Sequence, residues 1–303
     1  MHDCGNNISD HVLTALLPRL RVEWEKGAET VVLPPFDTPP AIMPTTAICC
    51  LLPYRDIPYS GTDVRIDGVM HHVAPGDCLV VPEGCQHRYF RKDDAVHRSV
   101  WCHLRCSLEP GLPLLDFFDV PAVIRGTAAA RCRRLIGKLN RGHRGRLITR
   151  AWEMTSPRRS GGLAEKLEDR ASALLLLKEI LQLSLPKESL LPAIGGFHEL
   201  EGALQWIQLH KFEKITLDEL AACCHCSRSS FEKKFRRSFG VSPGKYLLNL
   251  RLGAAEAMLR GTDDSCARIA EACGFANQFI FSRLFSQRYG IPPRDYRNRK
   301  IFS

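Results

Sequence analysis

The side chains best suited to chemistry in this 303-residue chain recur on two short stretches fifty residues apart. In the second stretch Gln278, Phe279, Ser282 and Arg283 follow Asn277; in the first, Ser229, Glu232 and Lys233 follow Ser227. Gln and Arg offer two-pronged hydrogen bonding that matches adenine and guanine in the major groove. Glu accepts from cytosine, Ser suits either partner, and an apolar Phe279 can meet a thymine methyl. Around them stand Arg228, Arg236, Lys245, Arg251 and Arg297. Such cations bind phosphate whatever the sequence, supplying affinity and register rather than choice. The chemistry these residues point to is recognition of double-stranded DNA, with no bond made or broken and no cofactor required.

The charge distribution agrees. Residues 226–303 carry 15 Lys and Arg against 6 Asp and Glu, whereas the first 225 residues carry 27 of each. All of the net charge of +9 therefore sits on the stretch that holds the candidate readers, the footprint of a polyanion binder. The alternative of a solvated basic tail fits poorly with a region so regularly patterned.

Two further chemistries are suggested by residue type. His71, His72, His87, His97 and His103 invite a metal site, but there is no His-x-His and no Glu at ligand spacing, so no metal centre is expected. His87, Trp101 and His103 are instead candidates for the lining of a small-molecule pocket. The thirteen cysteines include one C-x-x-C spacing, Cys223 to Cys226 within the run Cys223-Cys224-His225-Cys226, and an odd count with several in apolar runs suggests reduced, buried thiols. Neighbouring Cys49 and Cys50 point to opposite faces of a strand and are poorly placed to bridge.

The elements that must position the DNA readers can be read from caps and periodicity. Thr216 with Glu219 forms a capping box, and Ser227 caps the first reading helix. There Phe231, Phe235 and Phe239 face inward, which turns Arg228, Ser229, Glu232, Lys233 and Arg236 outward. Ser242, Pro243 and Gly261 supply the start and stop of a helix of some eighteen residues, about 27 Å long. That length can hold two recognition helices about one DNA turn, ~34 Å, apart. Asp263-Asp264 can cap a helix ending at Gly274, and Asn277 caps the last reading helix. The pattern Phe231 to Tyr246 returns as Phe281 to Tyr296, with Gly240 matched by Gly290. An earlier helix is expected over His198–His210, after a linker at Pro186–Ser189 and Pro192–Gly196.

Upstream the period is that of strands. Residues Val12–Leu20 suggest a short amphipathic helix, followed by a Pro-rich approach. From Ala47 to about Pro121 short apolar or alternating runs recur at roughly ten-residue spacing, which suggests an antiparallel sandwich or barrel. Residues Ala128–Leu139 and Gly162–Leu185 read as helices, separated by a basic stretch, Arg141–Arg150. The second carries Leu163, Leu167, Leu174, Leu177 and Leu181 near 3.5-residue spacing, which fits packing on its own domain or a dimer seam. The expected fold is α+β in two domains. Residues 1–125 form an effector-sensing β domain, 126–190 a helical dimerisation and linker region, and 197–303 an all-α bipartite helix-turn-helix.

Two resemblances sharpen this reading. Pro75-Gly76-Asp77, Pro82 and His87, with Ile66-Asp67-Gly68 and Trp101-x-His103, resemble the cupin-like β-barrel sensor domains found before certain DNA-binding modules. Over about 100 residues, Ile269-Ala270-Glu271-x-x-Gly274-Phe275, Phe281-Ser282-Arg283-x-Phe285 and Gly290-x-Pro292-Pro293-x-x-Tyr296-Arg297 resemble the AraC/XylS family of transcription regulators. The family implies a two-unit DNA reader under control of an N-terminal effector and dimerisation domain. The implied partners are promoter DNA, a small-molecule effector with sugars among the candidates, a second copy of the chain, and RNA polymerase. It departs from the family in having His225 where the first turn usually has Gly, and Phe279 where a small or polar residue is usual. Two other classes predict different behaviour. A cupin-type enzyme fused to a DNA module would hold metal tightly, and a thiol-based redox regulator would lose operator affinity on oxidation. Met1–Asp10 has no signal-peptide core and the Leu-rich run at Ala173–Leu185 is broken by charge, so a cytoplasmic, non-membrane protein is expected.

Overall fold

The computed structural model describes residues 16–32, 36–38, 40–53, 61–91, 96–108, 112–141, 146–149 and 162–298. It divides into two compact units. One holds Arg21–Cys106 and Asp119–Leu185; the other holds Pro186–Asn298 with Ser107–Phe118 and the described residues up to Leu20. Among the described residues no helix is long and apolar enough to cross a membrane.

The β-rich part contributes strands β1 (Leu20–Val32), β2 (Phe36–Asp37), β3 (Ala41–Ile42), β4 (Thr46–Leu52), β5 (Thr62–Ile66), β6 (Val69–Val73) and β7 (Cys78–Val81). After them come β8 (Gln86–Arg91), β9 (His97–Leu108), β10 (Leu112–Pro113), β11 (Phe118–Asp119), β12 (Val123–Ile124), β13 (Arg146–Thr149) and β14 (Leu185–Pro186). The ladders make one sheet in the order β12-β7-β4-β9-β1-β13, with β10 on β9, and a second in the order β2-β8-β5-β6, with β3 on β8. The expectation of a barrel is corrected here: among the described residues these two sheets do not close on each other, and β11 with β14 makes a third, two-stranded ladder. Ala47, Leu51, Leu79 and Val81 of the larger sheet share a buried core with Val64, Ile66, Val73 and Tyr89 of the smaller.

The apolar run of β4 follows from burial on both faces. Ala47, Cys49 and Leu51 alternate with Ile48, Cys50 and Leu52, and the second set turns to helix α1 (Gly126–Leu139), which lies on β4 and β7. The hairpin joining β5 to β6 turns on Asp67 and Gly68, both at positive φ, the geometry of a two-residue hairpin whose twist suits its strands.

Two expectations about local structure are also corrected. The helix expected over Val12–Leu20, of which residues 16–20 are described, is there much shorter. Leu17–Arg19 is a single 3-10 turn, and the chain then runs as the thirteen-residue β1, whose outer half alternates charged with apolar residues. Within the basic stretch Arg141–Arg150, Arg146–Thr149 pairs in parallel with Glu29–Val32 of β1. Helix α2 (Leu163–Leu181) packs on α1 through Ala173, Leu176, Leu177 and Ile180. Arg131 on α1 pairs with Glu179 on α2 at 2.7 Å.

The other unit is helical: α3 (Leu190–Glu199), α4 (Glu201–His210), α5 (Leu217–Ala222), α6 (Arg228–Phe239), α7 (Pro243–Gly261), α8 (Cys266–Ala272), α9 (Gln278–Tyr289) and α10 (Pro293–Asn298). The predicted linker at Pro192–Gly196 is in fact the body of α3. Pro192 sits in its first turn, where its missing N–H would have had no partner. Leu190, Ala193 and Phe197 are buried. Gly196 lets α3 approach α6 so closely that a Cβ there would overlap the Ser238 side chain.

Candidate nucleic-acid interface

Each reading helix is fixed by a cap at one end and an aromatic column along its inner face. On α6, Ser227 Oγ accepts from the Ser230 amide at 3.4 Å. On α9, Asn277 Oδ1 accepts from the Phe279 and Ile280 amides at 3.0 and 2.9 Å. Phe231, Phe235, Phe239 and Tyr246 make successive ring contacts, with Phe231–Phe235 at 5.6 Å and Phe235–Tyr246 at 5.3 Å. Fifty residues later Phe281–Phe285 at 5.5 Å and Phe285–Tyr296 at 5.3 Å repeat them. Both helices end on a left-handed glycine, Gly240 at φ 69° and Gly290 at φ 75°.

With those rings buried, the outer faces follow. Arg228, Ser229, Lys233 and Arg236 are exposed and Glu232 is half-buried. On α9, Gln278, Phe279 and Arg283 are exposed and Ser282 is half-buried. Phe279 is 77% exposed, so it does not pack into its own core. Arg228 Nε lies 3.3 Å from Glu232 Oε1, and Lys245 is exposed in the first turn of α7. Glu199 on α3 draws Lys234 and Arg237 aside, at 3.4 and 3.9 Å.

The turns before the two reading helices are built alike. The Cys226 amide bonds the Ala221 carbonyl at 3.2 Å, and the Phe275 amide bonds that of Ala270 at 2.9 Å. The turn residue is left-handed in both, Gly274 at φ 72° and His225 at φ 51°. His225 thus adopts the conformation its position demands, at a steric cost glycine would not incur. The capping box at Thr216 is formed, with the Thr216 amide donating to Glu219 Oε2 at 2.7 Å. These bonds hold the Glu219 carboxyl below the usual carboxylate range. The cap of α8 is Ser265, whose Oγ accepts from the Arg268 amide at 3.2 Å, rather than Asp263 or Asp264.

Two predicted phosphate contacts are corrected. Arg251 donates to the carbonyls of Lys211, Gly274 and Glu213 at 2.6, 2.8 and 2.5 Å, and burial lowers its pKa from the usual guanidinium value. Arg297 donates to the Asp264 carbonyl. The sequence held a signal for the first. Arg251 lies three residues after Leu248 and four before Ala255, within the apolar stripe of α7.

In the β unit, Trp101 and His103 do line the cavity between the sheets, together with Thr62, Tyr89, His97 and Ser99 among aliphatic walls. Trp101 Nε1 donates to Thr30 Oγ1 at 2.8 Å, His103 Nδ1 lies 3.0 Å from Thr45 Oγ1, and His97 Nδ1 lies 3.2 Å from Thr62 Oγ1. The cavity holds about 20 Å³, room for water as the side chains stand. His87 is not among its lining residues. It is buried on β8 edge-on to Tyr89 at 5.6 Å, and burial lowers its pKa. His97 was missed as a lining residue because several strands carry histidine and only the register selects one. Among the described residues no group of three or more His, Cys, Asp or Glu is arranged to hold a metal. Burial pushes the Cys49 and Cys106 thiols up to about 12, which leaves little thiolate for redox chemistry.

Comparison with known proteins places this geometry in a family. Residues 220–299 match a helix-turn-helix domain family. The chain is 29% identical over 230 residues to the MmsAB operon regulatory protein of Pseudomonas aeruginosa, covering 76% of this chain and 68% of that protein. It is 30% identical over 152 residues to the transcriptional activator RhaS of Escherichia fergusonii, covering 50% of this chain and about half, 52%, of RhaS. A solved AraC-type DNA-binding domain protein from Chromobacterium violaceum is 31% identical, with 95% of it and 35% of this chain covered and a TM-score of 0.33. With its two capped reading helices on a fifty-residue repeat, the chain carries an AraC-type helix-turn-helix domain over residues 220–299.

Proposed function

We propose that the chain reads promoter DNA through α6 and α9, set into successive major grooves by α7. The observation that carries this reading is the pair of capped helices whose aromatic columns are buried and whose polar and basic faces are left to solvent. Ser229, Glu232 and Lys233 on α6, and Gln278, Phe279, Ser282 and Arg283 on α9, meet base edges. Arg236 and Lys245 meet phosphate, and Arg228 joins the base-facing row because the fifty-residue offset puts it where α9 has Gln278. The two faces differ in chemistry, so the two half-sites differ in sequence. Arg283→Ala is expected to weaken binding to the preferred duplex by ~1–3 kcal/mol and to relax choice at one base pair, whereas Arg236→Ala weakens every sequence alike. Mobility shifts on preferred and random duplexes check this, and an equal loss on both for Arg283→Ala would remove the base-reading role.

The domain division proposed is a cupin-like sensing domain over residues 1–125, helices and linker over 126–190, and the DNA module over 197–303, its border moved upstream to take in α3. The cavity with Trp101, His97 and His103 is the proposed seat of a small-molecule effector, admitted when its walls move apart. Native mass spectrometry of the purified chain, with one discrete added mass expected, tests this. A second copy is proposed to join through α2, where Leu163, Leu167 and Leu174 lie on one stripe and are 75%, 58% and 40% exposed. RNA polymerase is the proposed downstream partner. The cytoplasm is the compartment in which such a reader meets its promoter.

A further inference from the structure

One side chain on the central helix reaches both helix-turn-helix units. Arg251 stands at the middle of α7, and its guanidinium donates from Nε and Nη2 to the Lys211 and Glu213 carbonyls and from Nη1 to the Gly274 carbonyl. Lys211 and Glu213 belong to the segment joining α4 to α5 in the first unit. Gly274 is the turn residue of the second. A planar fork bound by three carbonyls fixes direction as well as distance, which a single point charge such as lysine cannot do. The same joint closes through backbone. A Cβ on Gly274 would stand 2.8 Å from the Phe212 carbonyl carbon, closer than side-chain contacts allow.

Neither feature is needed to build a helix-turn-helix unit. At the offset of forty-nine that matches His225 to Gly274, the place of Arg251 is taken by Gly202, which has no side chain to form such a fork. The residue matching Gly274 in the first turn is His225, which carries a full side chain in the left-handed conformation. What Arg251 and Gly274 share is the contact between the units.

We propose that Arg251 and Gly274 lock the two recognition helices in one relative orientation and thereby set the half-site spacing the chain accepts. Arg251 is then a positioning residue. This rests on the DNA-reading proposal above. A rigid two-headed binder gains from its second head only where linker and span agree. One inserted base pair shifts the second half-site by about 3.4 Å and turns it by about a tenth of a helical turn, which a locked joint cannot follow and a loosened one can.

The test uses the full chain and the duplex it enriches from a random pool, with versions carrying one or two base pairs inserted between the half-sites. For the unsubstituted protein, one insertion should cost about 30-fold in affinity, the order of a lost base-pair contact set. In Arg251→Ala and Gly274→Ala the penalty should shrink to about threefold or less, with affinity for the original spacing lowered about tenfold. Arg251→Lys, which keeps the charge and loses the fork, should behave like Arg251→Ala. Circular dichroism at the binding temperature selects the variants that fold. An insertion penalty in folded Arg251→Lys as large as in the unsubstituted protein overturns the proposal, as does an unsubstituted protein indifferent to spacing. Failure to enrich any duplex overturns the DNA reading itself, a separate result.

Discussion

His225 shows how one residue can be held by its surroundings against its own preference. Its φ of 51° is forced by a turn whose amide pairing, Cys226 to Ala221, matches that of Phe275 to Ala270 around Gly274. A non-glycine residue pays ~1–2 kcal/mol in that region, and glycine loses roughly 0.5–1 kcal/mol more entropy on folding. His225→Gly should therefore stabilise the DNA module by about 0.5–1 kcal/mol, seen as a higher denaturation midpoint. A lower midpoint would mean that the imidazole makes contacts outweighing the strain. The buried polar anchor of the second unit obeys the same logic of surroundings. Glu256 is 1% exposed, yet Arg260 Nε lies at 2.8 Å and Tyr296 Oη donates to it at 2.6 Å. The pairing compensates the cost of taking a carboxylate out of water. Burial first, and then the neighbouring carboxylate, raise the Tyr296 pKa well above the usual phenol value, so its proton stays available for that bond.

At the scale of elements, close approach decides more than propensity. Helix α3 carries Pro192, Gly195 and Gly196, all of which read as a linker. It is helical because Leu190, Ala193 and Phe197 bury one face, with the Phe197 ring 5.2 Å from Phe239, and because Gly196 admits the Ser238 side chain. Gly196→Leu should cost ~1–3 kcal/mol by overpacking that crossing, with α6 the first element disturbed. An unchanged denaturation midpoint would show that α3 does not brace the reader. What could be read in advance was whatever local chemistry dictates: the caps at Thr216, Ser227, Ser242 and Asn277, the inward rings, and the outward readers. Two things could not. One was tertiary override of local signals, as at α3 and in β13, where pairing with β1 makes a strand of a basic stretch. The other was the destination of a charged side chain. Arginine suits phosphate and carbonyl clusters alike, and only the fold assigns Arg251 to the second. In the β unit, the strand runs were legible. The pairing that leaves two unclosed sheets, and selects His97 and His103 over His87 for the cavity, depends on register between distant strands.

For the whole molecule, α2 leaves an apolar stripe that its own domain does not cover, since Ala173, Leu176, Leu177 and Ile180 already make the contact with α1. If this stripe joins two copies, Leu167→Lys with Leu174→Lys should turn a sedimenting dimer into a monomer while leaving the fold intact, and a dimer surviving both changes would assign the seam elsewhere. The central claim is that one chain carries two different readers on one rod, positioned for successive major grooves. Hydroxyl-radical footprinting on the duplex enriched by the full chain tests it most directly. The account predicts two protected patches on one face of the duplex, about one helical turn apart, with the patch under α9 lost in Arg283→Ala and the other retained. A single protected patch, or two patches that fade together in that variant, would contradict it.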